Sequence, residues 1–279
     1  MKSISQTLPV ICLYDGADVE NFDIQKIGDY LGQWFGPQRV QIRGEFVQHQ
    51  LRCQEQMDEQ RLEAVAEDLG RARIKDPAKQ LEKGKLASRR SRGLDSQQPN
   101  QEYEWLLEGT ASKDIFYDGL ALQQAYLKLI PVEENSLEFM HLVFTNRLIG
   151  TWDQSDRRYH ARVSIYGWPS VISTTGLVEA PAKPREYYFG LMAGLDEKQL
   201  REELAGRFVD HGDLRLTELL KGYSMQAVFY HLIGEPFCDN PDCRLFNAHW
   251  QEQMIRAQLT TAQEYCPRHR KLLQRFSGA

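Results

Sequence analysis

The sequence predicts an α/β protein with a mixed β-sheet, packed helices and a zinc-tied helical hairpin near its C-terminal end. Three observations carry this reading. A strand, a helix and a second strand follow one another within residues 8–46, the order of a βαβ unit with parallel pairing. Residues 159–166 alternate polar His160, Arg162 and Ser164 with apolar Ala161, Val163 and Ile165, the period of a half-buried strand. Cys238-Asp-Asn-Pro-Asp-Cys243 is followed by Cys266-Pro-Arg-His269, two short pairs at metal-ligand spacing.

The elements follow in order. Residues 8–14 are apolar and end at Asp15-Gly16, a strand closed by a turn. Asn21 or Asp23 can cap a helix whose apolar positions Ile24, Ile27, Tyr30, Leu31 and Trp34 recur at helical spacing, and Gly36-Pro37 stops it. Residues 39–46 form the second strand. Residues 50–102 are expected to be a charged, partly disordered helical insertion: an acidic helix at 55–68, a basic stretch at 71–92 and a loop at 96–100. Residues 103–107 are too short to classify. A helix is expected over 120–130 and a buried strand over 139–145. After the strand at 159–166, Gly167-Trp-Pro-Ser turns the chain and 170–178 reads as another extended run. Pro181 and Pro184 make 179–188 an extended crossover. Two helices follow, one over 196–208 capped by Asp196. The second runs from a cap at Asp213 to His231, with Gly234 as its stop.

The chain of 279 residues has a net charge of −5, which opposes a surface built as a whole for nucleic acid. No apolar run is long enough to span a membrane. The apolar run at 8–14 is too brief and unflanked for a signal peptide. Cys12 and Cys53 have no evident partners and the other three cysteines fall in ligand pairs, which favours a reducing, cytoplasmic setting. No motif speaks to oligomeric state.

Cys238, Cys243, Cys266 and His269 are the expected metal ligands, holding one structural Zn2+. Zinc takes four soft or borderline donors in a tetrahedron, and a site filled entirely by protein folds a segment without doing chemistry. Buried cysteines beside a surface histidine are the plainer alternative. No phosphate-binding loop, dinucleotide turn or Gly-x-Ser-x-Gly elbow occurs.

The order His231-Leu-Ile-Gly234, Cys238-x4-Cys243, then Tyr265-Cys266-Pro-Arg-His269 resembles the closing signature of the archaemetzincins, a branch of the metzincin zinc peptidases. Ser173-Thr-Thr-Gly-Leu-Val-Glu-Ala-Pro-Ala-Lys-Pro-Arg-Glu-Tyr187 and Cys243-Arg-Leu-Phe-Asn-Ala-His-Trp-Gln251 resemble an archaemetzincin-like metallopeptidase group. The specific match covers roughly the last sixty residues. The resemblance implies a metzincin-like sheet, a single domain over 1–279 with the insertion at 50–102, and the zinc hairpin at 238–269.

The same resemblance exposes a departure. The family's peptidase motif is His-Glu-x-x-His-x-x-Gly-x-x-His, whose histidines hold an open-site zinc while the Glu serves as general base. Carried across by position, these roles fall on Ala227, Val228, His231 and Phe237. One ligand of three survives, and the base is a valine. The implied protein is a non-catalytic one that keeps the structural zinc and binds a peptide or protein in the former cleft. A second reading is a metal-dependent hydrolase with a relocated site around His231, drawing on His160, Glu179, Arg185, His249 or Glu252. A third is a zinc-ribbon-like nucleic-acid module using Arg256, Arg268, Arg270, Lys271 and Arg275 with the basic stretch 71–92. Acidic charge and missing aromatic interleaving make it the weakest.

Overall fold

A computed structural model describes residues 8–53, 59–80, 97–108 and 115–277. The opening unit is β1 (Val10–Gly16), α1 (Ile24–Phe35) and β2 (Val40–Arg43), with β1 and β2 parallel. Asp23 caps α1 by accepting from the Lys26 N–H, and Gly36 ends the helix at φ 93°. The second strand is shorter than the sequence suggests. It stops at Arg43, and the chain re-enters helix as α2 (Phe46–Cys53).

Next come α3 (Glu59–Ala72), α4 (Gln97–Glu108), β3 (Phe116–Asp118) and α5 (Gly119–Leu127). The expected loop at 96–100 and the unclassified 103–107 are therefore mostly helix. Pro99 is accommodated because it lies in the first turn of α4, where its missing N–H has no intrahelical partner to lose. Within the expected insertion, residues 54–58 and 81–96 lie outside the described residues. The described part of α3 sends Leu62, Val65, Ala66, Leu69 and Ala72 into a buried cluster, so its inner face is core.

The main sheet has the order β2-β1-β4-β8-β7, using β4 (Phe139–Thr145), β7 (Ser164–Ile165) and β8 (Ser170–Ser173). It is parallel except for edge strand β7, which runs antiparallel to β8. A second sheet, β3-β5-β6, contains β5 (Leu148–Asp153) and β6 (Arg158–Arg162). The strand expected at 159–166 is thus divided between two sheets. Its period of two is continuous in sequence, but Val163 marks the change, its carbonyl accepting from the Ser173 N–H.

Two further expectations need correction. The run 170–178 is strand only to Ser173, whose hydroxyl accepts the Gly176 N–H at 2.8 Å and starts α6 (Thr174–Glu179). A serine cap outweighs the β-branched residues after it. Residues 185–192 are helix α7 (Arg185–Met192), not extended crossover. Pro184 sits just ahead of the first turn, where its fixed φ suits helix entry, so the prolines bar helix only before that point. Helix α8 (Glu197–Glu203) is capped by Asp196 as expected but ends earlier. Helix α9 (Leu216–Ile233) ends at Gly234, whose φ of 73° is left-handed and suits glycine. Asp213 lies ahead of it and accepts from the Arg215 N–H at 2.8 Å.

The parallel strands send alternate side chains to opposite faces. Ile11, Leu13, Leu142, Phe144 and Ile172 pack with α1 and α9, while Tyr14, Val143 and Val171 pack with α2, α3 and α5. No helix among the described residues is long and apolar enough to cross a membrane.

The second core also holds a buried ion network beside its apolar packing. Glu102 of α4, fully buried, accepts from Arg73 at 2.6 Å, Arg147 at 3.1 Å and the Tyr117 hydroxyl at 2.7 Å. Such a carboxylate is needed chiefly because the guanidiniums would otherwise be buried uncompensated. Glu102→Ala is expected to destabilise the protein by about 3–5 kcal/mol in urea denaturation. A loss of a few tenths would show that the arginines reach water or other acceptors.

Candidate metal centre

Cys238, Cys243, Cys266 and His269 come together as the sequence expects. Their ligand atoms all lie within 4.8 Å of one another. The local chain explains how. After Gly234 ends α9, the Cys238 N–H donates to the Leu245 carbonyl at 2.9 Å, and the Cys243 N–H donates to the Asn240 carbonyl at 3.0 Å. Asn240 also accepts the Asp242 N–H on its side chain, and its own N–H points at the Cys238 sulfur at 3.4 Å. These bonds fold 238–246 into a closed knuckle.

The second pair begins α11 (Pro267–Ser277). Proline at the first helical position places His269 in the first turn, facing back toward Cys266. The bond from the Arg244 N–H to the Glu264 carbonyl at 2.7 Å ties the two halves together. Between them run α10 (Gln251–Ile255) and a π-helical turn, Arg256–Thr260.

The Cys238 and Cys266 sulfurs are 3.9 Å apart, and His269 Nδ1 is 3.6 Å from the Cys243 sulfur and 3.1 Å from that of Cys266. Sulfurs about 2.3 Å from a tetrahedral ion stand roughly 3.8 Å apart, so the spacing fits one ion held by three thiolates and Nδ1. Cys243 and His269 are fully buried. Burial raises the Cys238 thiol, and it pushes Cys243 up to about 12. Burial also raises Cys266, but the His269 N–H, the Cys238 and Cys243 thiols and the Arg268 N–H reverse the balance and leave it below the usual thiol range. Burial lowers His269, which favours the neutral imidazole that ligates. A cation would supply the charge that buried thiolates otherwise lack. With four protein donors the centre is closed, so it can brace the fold but offers no position for substrate.

The peptidase-motif positions fare differently. Ala227 and Val228 on α9 are 0% and 1% exposed, packed in the first core. His231, one turn later, is half-buried. Its Nε2 bonds the Leu137 carbonyl at 3.0 Å and its ring stacks on Trp168 at 5.4 Å. Burial lowers its pKa. Phe237 lies against Tyr166 with centroids 5.9 Å apart.

The remaining candidates engage separate partners. His160 bonds Asp156 at 2.7 Å in the β5–β6 turn. Glu179 faces His211 at 3.7 Å. The Arg185 guanidinium lies over the Trp250 ring at 5.4 Å. Glu252 accepts from Arg207 at 2.7 Å. His249 precedes α10 rather than riding on it, and its carbonyl accepts the Ala182 N–H at 2.9 Å. Arg185, His249 and Glu252 therefore share one neighbourhood, while His231 and His160 belong to others.

His249 also lines a groove of about 450 Å³ between α9, β7 and the loop after α9. Its polar tips on α9 are Tyr223, Gln226 and Tyr230. The Tyr166 hydroxyl donates to Gln226 at 2.6 Å, and Gln226 donates on to the Phe246 carbonyl at 3.2 Å. Tyr223 and Tyr230 recur at helical spacing with Leu216, Leu219, Leu220 and Ala227 and so read as one apolar stripe, which hides Gln226. Their three- and four-residue spacing is the signal that could have marked one polar-tipped helix face.

With fold and centre in view, comparison with known proteins decides the family. A family model described as "Probable metallopeptidase family (DUF6775)" matches residues 8–276. The chain belongs to this family. No curated protein and no solved structure matches it.

Cys243→Ser is expected to release the metal on mild chelation and to lower the melting temperature sharply, since structural zinc in small domains contributes on the order of 10 kcal/mol. Unchanged melting of that variant, with and without chelator, would refute a folding role for the cluster.

Proposed function

We propose that this member of the probable metallopeptidase family has lost peptide hydrolysis. In this reading it keeps one structural zinc at Cys238, Cys243, Cys266 and His269, and binds a peptide or protein segment in the groove beside α9. The observation that carries the reading is the chemistry at the motif positions. Ala227 and Val228 are core residues, 0% and 1% exposed, with neither a ligand atom nor a base to offer. His231 spends its Nε2 on a backbone carbonyl. The groove lining contains tyrosines, Gln226, Asn247, Arg162 and His249 but no aspartate, glutamate or cysteine. A water-activating metal needs several anionic or imidazole ligands and a nearby base, and these residue types do not supply them.

What the groove does offer suits recognition. Edge strand β7 borders it, and an edge presents backbone donors and acceptors to an extended segment. Phe237 and Tyr230 add partly exposed rings, which give contact area at low conformational cost.

Metal analysis of protein purified without added metal or strong chelator is the first test, and one zinc per chain is expected. A second, weakly held equivalent would revive a hydrolase with a rebuilt site. Hydrolysis of a pool of fluorogenic peptides is expected at the buffer rate. Capture of the uncleaved pool should fall about tenfold in Tyr230→Ala/Phe237→Ala, as for removal of aromatic anchors. Capture equal to that of the parent would sink the binding assignment.

A further inference from the structure

The α7–α8 hairpin carries its own small core of Tyr187, Leu200, Leu204 and Phe208. Gly190 allows the close approach, because a Cβ there would meet Leu200 at 2.4 Å. That packing fixes which face of α7 turns inward, and the opposite face is apolar. Tyr188, Phe189 and Met192 project from it, with Leu191 at its border and Leu195 just beyond the helix. Phe189 is 65% exposed and Met192 84% exposed. Surface helices ordinarily put such residues inside, so this helix presents its apolar stripe to the outside.

Five side chains of this size at these exposures amount to an apolar patch on the order of 600 Å², at the top of the range for monomer surfaces. Two copies placed face to face would bury on the order of 1,200 Å², where specific interfaces begin. Charge sets the direction of pairing. Arg185 stands on the same face at the start of α7, stacked on Trp250 and without an ion pair among the described residues. Asp196, the cap of α8, stands at the far end, beside Glu197, which is already paired with Arg201. A two-fold operation runs the two α7 helices antiparallel and brings each Arg185 to the acidic end of the other copy, a self-complementary arrangement.

We propose that the outer face of α7 is the interface of a two-fold symmetric dimer of this chain. The test is sedimentation equilibrium of the full chain over the micromolar range, beside Phe189→Glu/Met192→Glu. The parent should sediment with the mass of two chains. The double variant should sediment as one chain with the parent's circular dichroism, since both side chains stand outside every core. A single-chain mass for the parent at all concentrations would overturn the proposal. So would a dimer that survives the two glutamates, or open-ended assembly. Met192→Cys in a Cys53→Ser background, which removes the exposed native thiol, should give linked pairs only with a short bismaleimide, and its failure to link would overturn the antiparallel arrangement. None of these outcomes depends on the zinc or on the groove.

Discussion

Two buried thiols, a third that is half-buried and a buried imidazole, all within 4.8 Å of one another, are a costly grouping unless a cation joins them. Their charged forms lose hydration and, without a metal, repel one another. That constraint ties residues 238–277 to the rest of the molecule. Cys238 and Cys243 belong to the same buried cluster as α1 and α9, and the His269 ring meets the edge of Phe229 at 5.3 Å. Loosening the ligands would therefore loosen the C-terminal end of α9 and one wall of the groove.

Helix α9 links the parts. Its inner face supplies Leu219, Leu220, Ala227 and Val228 to the first core, its polar-tipped edge lines the groove, and its left-handed terminus at Gly234 leads to Cys238. The archaemetzincin resemblance would put a peptidase motif on this helix. Here the positions that would carry it are apolar and packed. At positions this buried a histidine and a glutamate would need a metal or another partner to offset desolvation, whereas alanine and valine contribute burial. At this level α9 serves packing.

Across the sheet, the second core relies on the opposite device. Glu102, Arg73 and Arg147 form a closed set of charges from three distant stretches of the chain. Removing one member costs more than the set contributes as a whole. This makes α4 part of the folded unit despite its polar, Pro-containing sequence. Charge composition alone suggested a solvated excursion, because a partner that neutralises a buried charge is invisible until the chain folds.

The sequence by itself determined what depends on near neighbours. The βαβ opening follows from helical spacing between two apolar runs, the stop at Gly234 from glycine's access to left-handed backbone, and the four candidate ligands from two short pairs. The chemistry of Ala227 and Val228 is equally local, since neither can ligate or take a proton in any fold. Tertiary structure decided the rest. It divided one alternating run between two sheets at Val163 and made Ser173 a helix cap where β-branched neighbours suggested strand. It set Tyr166 against Gln226 from sixty positions away, and it scattered His160, Glu179 and His231 onto separate partners. The physical reason is common to all of these. Spacing along the chain reports which side chains share a face, but which faces meet is set by packing between segments far apart in sequence.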